Sequence, residues 1–200
     1  MTALLVGLFV GGKATRFGGI AKGMLPAPDG GESLAARLVR LCRTALPAAD
    51  VVLVGRHAAY DALALPSLDD DPPGVGPAGG LAALLDAAAL REREALAIAV
   101  DLPYVTTSLV ERIATHAKGR SAVAPRPSGR WQPLFARYEP RRCLPLLRAA
   151  LAGGRTPARA VLEALGDEAV VLPLDDAETA LLDDWDSPAD VTRDRDVTRR

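Results

Sequence analysis

The chain of 200 residues is short of several things that would advertise a function. It has two cysteines, Cys42 and Cys143, far apart in apolar surroundings and in no CxxC pattern. The expectation is two reduced core thiols, with neither a zinc site nor a redox centre. It has two histidines, His57 and His116, and neither falls in a motif, so both read as surface residues rather than catalysts. Net charge of one sign is missing too. At −1 the chain carries no field that would draw in nucleic acid or an acidic membrane, and any anion must be held by a local site. Long apolar runs are absent: each is broken by Gly, Pro or charge well short of the ~20 residues of a membrane span. The start lacks the basic stretch and small-residue cleavage site of a signal peptide, so a cytoplasmic location is expected.

What is present suits one globular domain. Hydrophobic residues make up 49% and charged residues 24%, with a mean hydropathy of +0.12. A single domain is expected over residues 1–191, long enough for one sizeable core, with the charged stretch 192–200 frayed. The runs LLVGLFV (4–10), DVVLVG (50–55) and ALAIAV (95–100) are too apolar for strands with one face in water, and read as buried strands of a parallel sheet. Further strands are expected over 121–124, 134–138 and 169–172. Helices are expected over 32–46 with Ser33 as cap, 58–65, 81–90, from Thr106 or Thr107 to about 117, 140–152 and 156–165. This alternation predicts an α/β fold, three layers α/β/α around a mainly parallel, Rossmann-like twisted sheet. Ligands of such sheets gather at the carboxyl ends of the strands, and the polar clusters lie there: 11–22 after the first strand, Asp101 after the ALAIAV strand, and an acidic loop before a helix.

The loop GGKATRFGGIAKG (11–23) lacks the GK[ST] ending of a P-loop and the spacing of GxGxxG. Its glycines, Gly11 and Gly12 among them, still let backbone amides close on a phosphate. Lys13, Arg16 and Lys22 add cations, Arg16 as a bidentate fork and Lys22 as a mobile point charge. A solvated surface loop is the plainer alternative, but its place after a buried strand favours anion binding. LDDDPPGVGPAGG (68–80) is a loop dense in carboxylates, prolines and glycines; an acidic turn capping the next helix would explain one aspartate but not the whole string.

VGGKATRFGGIAKGML resembles the signature loop of the nucleotidyltransferases related to molybdenum cofactor guanylyltransferase. That loop runs approximately LAGGxSxRMGxDKxLL, with a variant GGKxRRMGGVDKGLL. The matching positions are Gly11, Gly12, Lys13, Arg16, Gly18, Gly19, Lys22, Gly23 and Leu25. Phe17 replaces a methionine, and Ala21 replaces the acidic residue before the lysine. The second segment is similar to the family's DxxPGxGPLAG element, which implies that Asp70, with Asp69 as the close alternative, and Gly76 bind the nucleotide. ALAIAVDLPYVT resembles the CDMPFLT element, implying that Asp101 holds Mg²⁺. WQPLFARY matches xxPLxAxY and AGGRTPARAVLEAL resembles GxRrlrxLLexL, implying that Gln132 and Arg155 line the acceptor side. Arg159 has the weaker claim, since an exposed helical arginine is usually solvated. DDWDSPADV is similar to NxNTPEDL, with Asp184 and Asp186 in place of asparagines, and Asp186 would complete the metal site with Asp101.

The resemblance spans residues 3 to about 191 and implies the nucleotide-diphospho-sugar transferase type of sheet. It also implies an enzyme that transfers GMP from GTP to molybdopterin with release of pyrophosphate. Arg16, Lys22 and Asp101 would be the catalytic residues, Mg²⁺ the cofactor, and a transient protein partner would deliver or receive the acceptor. Two alternatives stand beside it. One is a CTP-dependent cytidylyltransferase or other NTP transferase of the same fold, which the aspartates of DWDSP favour. The other is a catalytically weakened nucleotide-binding partner protein, which Ala21 favours.

Overall fold

The computed structural model describes residues 4–11, 20–185, 187 and 190–191. The first apolar run forms β1 (Leu4–Phe9), buried along its whole length. It pairs in parallel with β2 (Asp50–Val54) on one side and β4 (Glu94–Ala99) on the other. β3 (Ser67–Leu68) is a two-residue edge strand beside β2 that the sequence pattern did not announce. β5 (Ala122–Ala124), β6 (Phe135–Tyr138) and β7 (Ala169–Val171) complete a seven-stranded sheet in the order β3-β2-β1-β4-β6-β5-β7. All pairings are parallel except those of β6, which runs against both β4 and β5.

The two faces of the sheet differ in side-chain size, and the helices follow. One face carries Val6, Leu8, Leu96 and Ile98, and is covered by α1 (Leu34–Ala45) and α3 (Thr107–Thr115). The other presents Ala95, Ala97, Ala122, Ala124 and Ala136, and is covered by α2 (Pro77–Ala89), α4 (Pro140–Ala152) and α5 (Ala160–Leu165). Gly7 belongs to this shallow face: a Cβ there would stand 2.6 Å from Leu84 Cδ2 and 2.9 Å from Val54 Cγ2. α2 therefore lies close on the sheet and packs against α4 as well. That double cover explains a helix apolar all round, whose Leu81, Leu84 and Leu85 are wholly buried and each contribute about 1.5–3 kcal/mol.

Local signals set the helix starts. Ser33 Oγ accepts the Ala36 amide and Thr106 Oγ1 the Leu109 amide. α2 begins at Pro77, four residues before the expected start at 81, because Pro is pre-shaped for a first helical turn and Gly79–Gly80 can press against the sheet. α5 begins at 160, not 156, and 58–63 is a 3-10 helix. α6 (Asp176–Ala180) was not anticipated; Asp175 and Glu178 form a capping box at its start. Both cysteines are buried free thiols, pushed up to about 12 chiefly by burial, which makes them inert. His57 is exposed, whereas His116 is half-buried. Among the described residues no helix is long and apolar enough to cross a membrane.

At the amino end of β4 one buried charge crosses between sheet and helix. Arg137 of β6 has a side chain 1% exposed, with Nη1 donating to Glu94 Oε1 at 2.6 Å. Its Nη2 donates to the carbonyls of His116 and Ala117, where α3 ends and a cation suits the helix dipole. Arg137→Met should destabilise the fold by roughly 3 kcal/mol, the low end for a broken buried pair, because Glu94 keeps some contact with water. Urea denaturation reads this directly; an unchanged midpoint would show that the pair stabilises nothing.

Candidate active site

The polar motifs meet above the carboxyl ends of β1 and β4. The chain re-enters description after β1 at Ile20 and turns through a 3-10 helix, Lys22–Met24. Lys22 Nζ stands 3.0 Å from Asp101 Oδ2, with the two side chains 24% and 23% exposed. Asp101 follows β4 by two residues, on a backbone still anchored to the sheet by the Val100 amide donating to Phe9 O at 3.2 Å. Two further ties hold this end. Leu34 N donates to Leu25 O at 2.9 Å, joining the Lys22 turn to α1. Arg37 Nη1 donates to Val105 O at 3.0 Å, joining α1 to the loop after Asp101.

Asp70 sits over the first turn of α2. A Cβ on Gly80 would lie 3.1 Å from Asp70 Oδ1 and 2.6 Å from Val54 Cγ1, and one on Gly79 would lie 2.3 Å from Pro72 O. Only glycine lets helix, strand end and acidic turn come this close. Gly76 caps the helix at φ 69°, a left-handed conformation that suits glycine. Burial first, and the like charge of Asp69 second, hold the Asp70 carboxyl above the usual carboxylate range. Asp69 is turned outward, paired with Arg56 at 2.6 Å, both side chains 67% exposed. Of the two aspartates, Asp70 is thus the one facing the glycine-lined turn.

Other candidates are placed less tightly. Gly11 is exposed, directly past the end of β1. Gln132 is half-buried in the loop before β6, its backbone N–H donating to Pro125 O at 3.0 Å. Because β6 is antiparallel, that loop opens at the Asp101 end, where Ala99 N donates to Leu134 O at 2.7 Å. Arg155 is exposed beyond the carboxyl end of α4. Arg159 forms an exposed pair with Glu163 at 3.1 Å, the solvated reading. Gly12, Lys13, Arg16 and Asp186 lie outside the described residues. Trp185 is described: its amide donates to Asp101 O at 3.1 Å, and its indole to the Tyr104 hydroxyl at 3.2 Å. Sequence reading missed Trp185 and Tyr60 as parts of the site; for Tyr60 the available signal was the glycine at 23, a place where something must approach closely.

Among the described residues no three carboxylates, histidines or cysteines gather to hold a metal by themselves. Asp101 nonetheless fits Mg²⁺, a hard cation bound by one or two protein carboxylates together with substrate phosphates and water. A cavity of about 680 Å³ lies at the opposite, amino end of the strands, lined by Leu4, Glu94, Lys118 and Arg141 among others. It contains none of the motif residues, which lie at the other end. There a cation, a reachable carboxylate and exposed backbone converge, an arrangement for binding a polyphosphate and neutralising charge.

Residues 7–170 match the family described as the MobA-like NTP transferase domain. The chain belongs to that family. It is a nucleotidyltransferase of the same fold as its solved neighbours. A molybdenum cofactor guanylyltransferase of Pseudomonas putida is 35% identical over 170 residues, 82% of each chain. Molybdopterin-guanine dinucleotide biosynthesis protein A of Archaeoglobus fulgidus superposes with a TM-score of 0.69 at 21% identity, covering 97% of this chain and 98% of that one. A 4-diphosphocytidyl-2C-methyl-D-erythritol synthase of Anaerococcus prevotii gives 0.74 at 12% identity, covering 100% and 97%.

The raised pKa of Asp70 has a testable consequence. A depressed carboxylate would stabilise the fold when ionised; Asp70, being raised, costs stability at neutral pH and is relieved as pH falls through its raised value. Its ionised, accepting form is therefore lost earlier on acidification than that of an ordinary carboxylate. If Asp70 takes part in nucleotide binding, affinity in the native protein should weaken earlier on acidification than an ordinary carboxylate would dictate, while Asp70→Asn should start weaker and lose that acid limb. Equal acid limbs in the two proteins would remove Asp70 from nucleotide binding.

Proposed function

We propose that this protein transfers GMP from GTP to molybdopterin and releases pyrophosphate. The observation that carries the reading is the Lys22–Asp101 pair at the carboxyl ends of β1 and β4, within a chain 35% identical to a molybdenum cofactor guanylyltransferase. A terminal phosphate oxygen of the acceptor attacks the α-phosphorus of GTP. The new P–O bond forms as the bond to the β-phosphate bridge breaks in line, and pyrophosphate carries away the electron pair. The attacking phosphate is already ionised at neutral pH, so the reaction needs no general base, which agrees with histidines outside the site. Catalysis is then positioning and charge neutralisation.

Each residue has a part in this. Lys22 turns from Asp101 to the triphosphate and follows the charge that moves onto pyrophosphate. Arg16, Lys13 and the amides of Gly11 and Gly12 extend the cradle, as the signature loop implies. Asp70, backed by Gly76, accepts from the guanine edge. Gln132 and Arg155 serve the acceptor, the first from the loop before β6 and the second from beyond α4. Asp101, with Asp186, would hold Mg²⁺, which when bound supplies Lewis-acid neutralisation of the acceptor and α-phosphates. The reaction is assigned to the cytoplasm, with product passed on through a transient protein contact.

Supplied with GTP, Mg²⁺ and the molybdenum cofactor, the protein should release pyrophosphate. If CTP, UTP or ATP supports release and GTP does not, the base assignment is wrong; a CTP-only result would make it a cytidylyltransferase. Asp101→Asn should lower the rate by about a thousandfold through loss of the metal carboxylate. Retention of most activity would sink the role given to Asp101. A melt against the four nucleotides gives an independent reading, since only a bound nucleotide stabilises the folded state by mass action.

A further inference from the structure

Tyr60 belongs to no motif, yet it touches the turn on which Lys22 is carried. It comes from the 3-10 helix Ala58–Leu63 between β2 and β3, and is 1% exposed. Its hydroxyl accepts the Gly23 amide at 3.1 Å, a buried hydrogen bond across 37 residues of chain. Gly23 is pressed between two neighbours: a Cβ there would stand 2.5 Å from Val100 Cγ2 and 2.8 Å from both Tyr60 Cε1 and its hydroxyl. Tyr60, Gly23 and Val100 thus stack in one contact. The residues next in chain to the last two, Lys22 and Asp101, form the ion pair at 3.0 Å. Burial, and to a lesser degree the charge of Asp101, push the phenol up, so the hydroxyl stays neutral in the working range.

The tyrosine is itself held in place. His57 opens its 3-10 helix by accepting the Ala59 amide on Nδ1 at 3.2 Å. The imidazole also meets the tyrosine ring edge-on, with centroids 5.9 Å apart and planes at 69°. A buried tyrosine hydroxyl needs a partner, and here that partner is the buried Gly23 amide of the Lys22 turn.

We propose that Tyr60 is a positioning residue, whose hydroxyl fixes the Gly23 amide and thereby aims Lys22 at the site of metal and phosphate. The assignment rests on the nucleotidyl-transfer reading for its effect on rate, but not for its effect on the turn. Tyr60→Phe keeps the ring and deletes one oxygen. Exchange of the Gly23 amide should quicken at least tenfold, with the change confined to the Lys22–Leu25 turn and the thermal midpoint shifted by a few degrees at most. Affinity for GTP without acceptor, and kcat/KM with it, should fall on the order of tenfold to a hundredfold, the scale of a small misplacement of a catalytic group.

Two further variants separate positioning from structure. In a Lys22→Met background, Tyr60→Phe should add nothing to the loss of nucleotide affinity, because the group it aims is gone. Gly23→Ala, which forces the ring away by contact, should reproduce the Tyr60→Phe losses. Equal losses with and without Lys22, or an unchanged Gly23 exchange rate in Tyr60→Phe, would overturn the proposal. Should the native protein neither bind nor turn over GTP, the function proposed above fails, and the exchange result alone decides the role of Tyr60.

Discussion

The site depends on keeping two opposite charges, from segments 79 residues apart, at 3.0 Å without letting either sink into the core. Each side chain stays about one-quarter exposed, enough to meet a ligand and too little to be held by water alone. That placement is inherited from the register of β1 and β4, which runs in step from Leu4↔Glu94 to Phe9↔Ala99. A slip of one residue would turn the side chains of one strand to the other face and carry Asp101 away from Lys22. The ladder of pairs beneath therefore sets the geometry of the site.

The same ladder explains the unequal faces. Alanine at 95 and 97 and glycine at 7 make one face shallow, and α2 lies down on it with a leucine in the space left. Because α2 is that low, its first turn arrives beside Val54 at the sheet's edge and forms the floor under Asp70. Small residues in the middle of a strand, weak by β-propensity, are repaid by bringing a helix terminus to the site.

Much of this was legible in the chain. The continuous runs at 4–10, 50–55 and 95–100 could only be buried strands, and all three are. Ser33 and Thr106 cap as their chemistry demands, and Lys22, Asp70 and Asp101 all lie at the carboxyl end of the sheet as the strand-end rule expects. Less could be read where tertiary contact outweighs local preference. Glycine at 79 and 80 argues against a helix in isolation, and it took the strand behind them to make a helix start there. The two-residue β3 and five-residue α6 are too short to leave a periodic trace. Ala21 looked like a missing carboxylate on the site; its side chain is 7% exposed and packs into the core beneath the turn. Tyr60 left only an indirect trace, the glycine at 23, because a long-range hydrogen bond to backbone leaves no pattern along the chain.

β6 runs opposite to the strands on either side of it, and so it sends its beginning, not its end, to the active edge. In the proposed reaction the nucleotide would be met by segments that leave parallel strands, and those are tied to the register of the central pair. In that reaction the acceptor would be met by the connection between β5 and β6, two antiparallel neighbours whose pairing is separate from the β1–β4 ladder. On that reading the donor side rests on the register of the central strands and the acceptor side on a connecting loop.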